Sequence, residues 1–140
     1  MPCASSARPL QARRWPLMSP VKTILTVDDS RTIRDLLAST LSQSGYKVVQ
    51  AADGVEGLEV LANTKVDAII TDINMPVLGG FGFIEKVRSD PEFRAIPILV
   101  LTTENSAAMK EAARKAGATG WLVKPFDTAK LTDTLRRVGV

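Results

Sequence analysis

Histidine is absent from all 140 residues. That absence removes Ser-His and Cys-His catalysis from within the chain, histidine-ligated zinc, and any phosphohistidine formed on the chain itself. Cysteine is nearly absent: Cys3 stands alone, so no internal disulfide can form, and a reducing, cytoplasmic setting is expected. Long apolar runs are missing too. The longest span a handful of residues, against the roughly 20 that a bilayer-spanning helix needs, so no membrane insertion is expected. Nor does most of the chain carry an excess of one charge sign. The formal charge is +3, from 18 basic and 15 acidic residues, but Arg8, Arg13 and Arg14 are the only charged side chains before Lys22. Without those three the remainder is balanced. The sequence pI near 9.2 therefore owes its excess to the N-terminal segment, and no basic surface for nucleic acid is indicated.

What is present is ordinary in bulk: 45% hydrophobic and 24% charged residues, enough for one domain with a proper core. Residues 1–20 hold Pro2, Pro9, Pro16 and Pro20 among Ser and Arg, without periodicity, and read as a disordered basic tail. An Arg-rich, acid-free start also resembles an organelle transit peptide. The reading adopted here is a start upstream of the true one, since Met18 stands just before the first strand. Residues 21–140 then form the folded domain.

From Lys22 onward strand and helix signals alternate. Thr23–Val27 is an apolar run. Ile33, Leu36, Leu37, Thr40 and Leu41 follow at helical spacing, with a start at Ser30 or Arg31 and Gly45 as the stop. A short strand carries Val48 and Val49. Asp53 with Glu56 three residues on signals the cap of a helix bearing Val55, Leu58, Leu61 and Ala62. Strands are expected over 66–71, 98–101 and 119–123. The helices between them bear Phe83, Ile84 and Val87, then Met109, Ala112, Ala113 and Ala116 with Gly117 as the stop. Asp127 can cap a last helix with Leu131, Leu135 and Val138. Nearly all-apolar strands in strict alternation with helices predict a five-stranded parallel sheet covered on both faces, an α/β doubly wound domain.

The chemistry stands at the strand ends. Asp28 and Asp29 close the first strand, Asp72 the third, Thr102 the fourth, and Lys124 the fifth, just before Pro125. In a parallel sheet all five converge on the carboxyl edge, where open α/β folds bind ligands. Singly, each has a plain structural reading: a helix cap, a loop turn, a lysine before proline. Jointly, they gather three carboxylates, and two unit charges about 4 Å apart cost roughly 4 kcal/mol at an effective dielectric near 20. A divalent metal with Lys124 would hold such a cluster together. Asp72 can attack phosphorus to form an acyl phosphate, Asp28 and Asp29 offer hard oxygen ligands to Mg²⁺, and Thr102 and Lys124 can contact phosphoryl oxygens.

Here the chain resembles a family, the receiver domains of two-component response regulators, and most closely the stand-alone chemotaxis (CheY-type) kind. The resemblance covers about Lys22 to Val138. It rests on Val27-Asp28-Asp29-Ser30, on Asp72-Ile73-Asn74-Met75-Pro76-Val77-Leu78-Gly79-Gly80, on Leu101-Thr102-Thr103-Glu104 and on Lys124-Pro125-Phe126. It implies a flavodoxin-like sheet of order 2-1-3-4-5 with five helices. Asp72 would be the phosphoacceptor, with Mg²⁺ held by Asp28, Asp29, Asp72 and the backbone carbonyl of Asn74. Thr102 would move toward the phosphoryl group and Trp121 would be the aromatic switch. Asn74 and Glu104 match positions that tune dephosphorylation, and Lys124-Pro125 is a candidate cis peptide. Trp121 departs from the usual Tyr or Phe, and strand-end packing is an equal reading for it.

The resemblance further implies a monomeric phosphoacceptor with self-catalysed phosphorylation and slow autodephosphorylation, not a turnover enzyme. With no histidine of its own, it would take the phosphoryl group from a histidine kinase, a phosphotransfer protein or a small acyl phosphate. It would signal to an effector protein through the fourth helix, fifth strand and fifth helix. Two alternatives remain at this stage. A Mg²⁺-dependent phosphohydrolase would also use an aspartyl phosphate, although Asn74 stands where its second Asp is wanted. A phosphate-sink receiver would bind no effector.

Overall fold

The computed structural model describes residues 21–73, 78–103 and 106–140. The expectations for the tail over 1–20 and for Asn74 and Glu104 lie outside the described residues. Five strands alternate with five helices: β1 (Thr23–Val27), α1 (Arg31–Gln43), β2 (Lys47–Ala51), α2 (Gly54–Asn63), β3 (Ala68–Asp72), α3 (Gly80–Ser89), β4 (Ile98–Thr102), α4 (Ala107–Ala116), β5 (Gly120–Val123) and α5 (Thr128–Arg137). A 3-10 turn, Pro91–Phe93, lies between α3 and β4. All strand pairings are parallel and the order is β2-β1-β3-β4-β5, as predicted.

Local chemistry sets the helix starts. Ser30 accepts the Ile33 amide at 3.3 Å to open α1, Ser106 accepts that of Met109 at 3.1 Å, and Asp127 accepts that of Lys130 at 2.7 Å. Asp53 accepts the Glu56 amide at 2.8 Å, and the Glu56 carboxylate reaches back to the Ala52 amide instead of to Asp53 itself. Gly117 ends α4 in the left-handed region at φ +110°, which favours glycine.

Some boundaries and exposures differ from the sequence reading. β3 begins at Ala68, not at residue 66, because Asp67 is engaged in a double tie to Thr23. Asp72 and Thr102 are the last paired residues of β3 and β4 and close those strands as expected. Leu36 and Val55, predicted for buried helix faces, are 48% and 45% exposed. The buried stripe of α1 is narrower, made of Leu37, Thr40 and Leu41.

The sheet is covered on both sides. One core joins Ile24, Ala68, Ile70, Leu99, Leu101 and Leu122 to Leu37 and Leu41 of α1 and to Leu131 and Leu135 of α5. The other joins Leu25, Ile69, Ile98 and Val100 to Leu61 of α2, to Phe83, Ile84 and Val87 of α3, and to Met109 and Ala113 of α4. With both faces buried, any ligand chemistry is confined to the sheet's ends.

Candidate functional site

The site is built by three strand ends and the turns that leave them. At the end of β1, the Asp28 amide still bonds to Ala51 O at 3.1 Å, so the residue is held as if the strand continued. Its Oδ1 accepts the Ser30 amide at 2.8 Å and turns the chain into α1. Arg34, one helical turn later, donates Nη1 to the Asp28 carbonyl at 2.6 Å. Asp28 is 1% exposed, whereas Asp29 points out to solvent. The helix cap is Ser30, so Asp28 is not spent on capping.

In the central strand, Asp72 is 9% exposed, and its Oδ1 accepts the Ile73 amide at 2.8 Å. The start of α3 presses on this point. A Cβ added to Gly80 would lie 2.3 Å from the Asp72 carbonyl oxygen, so only glycine allows the helix to begin there. From β5, Lys124 bonds through its amide to Thr102 O at 2.7 Å, and the Lys124-Pro125 peptide is cis. Its Nζ stands 3.5 Å from Asp28 Oδ2 and 3.5 Å from Asp72 Oδ1.

Asp28, Asp29 and Asp72 each bring a carboxylate oxygen within 4.8 Å of the others. Each pair at that spacing repels by about 3–4 kcal/mol at an effective dielectric near 20. One ammonium against three carboxylates leaves surplus negative charge. Burial pushes the Asp28 carboxyl above its usual range. The Ser30 amide and Lys124 pull it back, and Asp72 adds to the rise. Hard oxygen donors with excess negative charge suit a cation such as Mg²⁺.

The structure thus brings together Asp28, Asp29, Asp72 and Lys124, and ends β4 with buried Thr102 beside them in the edge. Trp121 pairs with Val100 while Thr102 pairs with Val123, so Trp121 stands one side-chain step back along β5, on the same face of the sheet as Thr102 and diagonal to it. It is half-buried against the core of α2, α3 and α4. Sequence reasoning missed Arg34, whose only signal was a cation one turn into the helix after the aspartates. It also passed over the apolar concavity of about 250 Å³ beside Lys124, lined by Ile33, Leu36, Thr103, Pro125 and Phe126. A larger one, about 550 Å³, lies at the opposite end of the sheet between α2 and the Pro91–Phe93 turn, away from the carboxylates.

Fold and site together define a class: a flavodoxin-like α/β domain with an acidic, cation-demanding site at the carboxyl edge of its sheet. Residues 24–136 match the model of the response regulator receiver domain, and the chain belongs to that family. It is 44% identical over 117 residues to chemotaxis protein CheY1 of Helicobacter pylori, covering 82% of this chain and 94% of that one. The structure of Vibrio cholerae chemotaxis protein CheY4 superposes with a TM-score of 0.82 at 46% identity, covering 85% of this chain and 99% of that one. The receiver domain of sensor histidine kinase PA1611 from Pseudomonas aeruginosa gives a TM-score of 0.79 at 30% identity, covering 86% and 100%. That structure holds a magnesium ion coordinated in its active-site cleft. The chain is a CheY-like receiver, and the stand-alone chemotaxis kind is the type these likenesses support.

Proposed function

We propose that this receiver takes one phosphoryl group onto Asp72 and signals by phosphorylation-dependent binding to an effector protein. The observation that carries the reading is the pairing of Lys124 with both Asp28 and Asp72 inside a cluster of three carboxylates. Asp28, Asp29 and Asp72 would hold Mg²⁺, with the Asn74 carbonyl added from its sequence position. The ion supplies charge neutralisation of the phosphoryl oxygens.

An Asp72 carboxylate oxygen attacks phosphorus. The bond from phosphorus to the donor's imidazole nitrogen, or to an acyl oxygen, breaks, and the donor keeps the electron pair. Lys124, freed from one carboxylate, pairs with a phosphoryl oxygen, and the Thr102 hydroxyl donates to another. Water later cleaves the acyl phosphate slowly, with Asn74 and Glu104 tuning the rate. Asp28 and Arg34 fix the turn that carries the metal ligands.

The donor is a histidine kinase or phosphotransfer protein. The apolar concavity formed by Ile33, Leu36, Pro125 and Phe126 gives such a protein a foothold beside Lys124 and a use for the exposed Leu36. Residues 21–140 are the receiver unit behind a basic tail over 1–20, a division that the family match to 24–136 supports, and residues 1–17 are dispensable.

The test is intact mass after incubation of the full chain with Mg²⁺ and acetyl phosphate. One phosphoryl group should be gained, and none after chelation or in Asp72→Asn. A phosphoryl group on Asp72→Asn would overturn the assignment. Sustained turnover of generic phosphomonoesters would instead favour the phosphohydrolase.

A further inference from the structure

Trp121 stands on the edge strand β5, below the acidic site, and α4 lies over it. The buried stripe of α4 is Met109, Ala113 and Ala116. Lys110, one residue round from Met109, therefore leaves the helix at the margin of that stripe. Its Nζ stands over the Trp121 ring, 5.3 Å from the centroid. That is within the roughly 6 Å at which a cation is held by the negative face of an aromatic ring, and indole is the strongest such partner. Among the described residues, the ion pair of α4 joins Arg114 to Glu111 at 2.6 Å, and Lys110 takes part in none. The ring is what its ammonium meets among the described residues.

The other end of α4 is held separately. Arg88 of α3 donates Nε to the carbonyl of Gly117 at 2.9 Å and Nη2 to Thr119 Oγ1 at 3.3 Å. α4 starts four connecting residues beyond Thr102, and Lys110 lies in its first half.

We infer that Lys110 is a positioning residue for Trp121: it holds the indole to α4, so that ring and helix shift together instead of the ring rotating alone. Tryptophan in place of the usual Tyr or Phe strengthens this hold. An event at Asp72 that displaces the start of α4 would carry Trp121 with it. This last consequence rests on the phosphoacceptor reading, whereas the hold itself does not.

The test uses the full chain carrying Trp15→Phe, in which Trp121 is the only tryptophan. Lys110→Met keeps the stem and helix propensity but removes the charge, and Lys110→Arg keeps the charge. Without any phosphoryl donor, Lys110→Met should raise the acrylamide quenching constant of Trp121 about twofold, the change that the weaker end of such contacts supports. Lys110→Arg should stay with the parent. A quenching constant unchanged in Lys110→Met, or raised equally in Lys110→Arg, overturns the assignment. With Mg²⁺ and beryllofluoride, the parent's Trp121 emission should move, and the change should fall below half in Lys110→Met. Mass gain from acetyl phosphate should persist in that variant. Failure of the parent to gain mass would refute the phosphoacceptor reading alone, and the donor-free quenching would still decide Lys110.

Discussion

Two half-buried cations sit at opposite edges of the sheet and are held in opposite ways. At the amino edge, Arg88 is gripped by neutral acceptors: Gly117 O at 2.9 Å, Arg94 O at 2.8 Å and Ile96 O at 2.7 Å. It joins no carboxylate among the described residues. Burial lowers its pKa somewhat, but a guanidinium stays charged, so oriented carbonyls, including one that closes α4, carry its neutralisation. At the carboxyl edge, Lys124 is shared between two carboxylates, each at 3.5 Å, with a third nearby. Short bonds to neutral acceptors fix geometry and ask for nothing more. Long contacts to surplus negative charge leave a site that still demands a cation. One edge holds the fold, and the other is held ready for chemistry.

The largest expected effect tests the first half of that contrast. Arg88→Met should cost about 2 kcal/mol in urea denaturation, because it removes the one side chain that ties the carbonyls of Arg94 and Ile96, before β4, to that of Gly117 at the end of α4. Arg88→Lys should recover little, since one ammonium cannot span acceptors that a planar fork reaches together. The folded fraction should take up phosphoryl groups at close to the parental rate. If Arg88→Met kept full stability, or lost uptake in proportion to its stability, the two edges would not be separable as argued.

A smaller effect tests the other half. In chelator, Asp29→Asn should stabilise the protein by about 1 kcal/mol, since it removes an exposed, screened member of the repelling cluster. Added Mg²⁺ should cancel the advantage by stabilising the parent more. The sign with pH follows from Asp28, whose carboxyl is raised in the folded state chiefly by burial. The native state then takes up a proton before the unfolded state does as pH falls. The penalty is full above the raised value and is relieved as pH drops through it toward the ordinary carboxylate range near 4. Metal-free thermal midpoints should therefore climb across that window in the parent relative to Asp28→Asn. A parent that instead loses ground there would mean Asp28 is stabilised by its partners more than it is penalised by burial.

Much of this was legible because it was local or periodic. The strand order and the carboxyl-edge cluster follow from apolar runs that end in Asp or Lys, and from motifs of a family with few variants. Gly117, Asp53 and Asp127 act at the helix ends as their types suggest. What escaped depends on contacts between distant segments. Arg88 reads as an ordinary surface residue near a helix end until the fold brings Gly117 and Thr119 to it. Trp121 shares its sheet face with Thr102, as its place near the end of β5 suggests, but the cation over its ring comes from Lys110 of α4, a contact that no local spacing announces. Leu36 fits helical spacing and still faces out, because periodicity gives a stripe but not its width.

The smallest effect concerns a residue hidden in an apolar run. Thr26 lies in β1 between the two pairing strands, fully buried, and its Oγ1 is the buried side-chain atom without a hydrogen-bond partner among the described residues. Its backbone pairs with Gln50 and Ile70, so the strand does not need the hydroxyl. In the unfolded chain that hydroxyl is hydrated, and burial without a partner forfeits the hydration. Valine has the same branching and keeps the β-strand preference. Thr26→Val should therefore stabilise the protein by roughly 0.5–1 kcal/mol, seen as a higher urea midpoint at unchanged slope. Two residues further on stands Asp28, so the same variant also asks whether the interior of β1 belongs to the fold or to the acidic edge. Unchanged phosphoryl uptake with raised stability assigns it to the fold. Slower uptake would mean that the hydroxyl finds a partner once the site is charged, and that the chemistry reaches one layer deeper than the carboxylates.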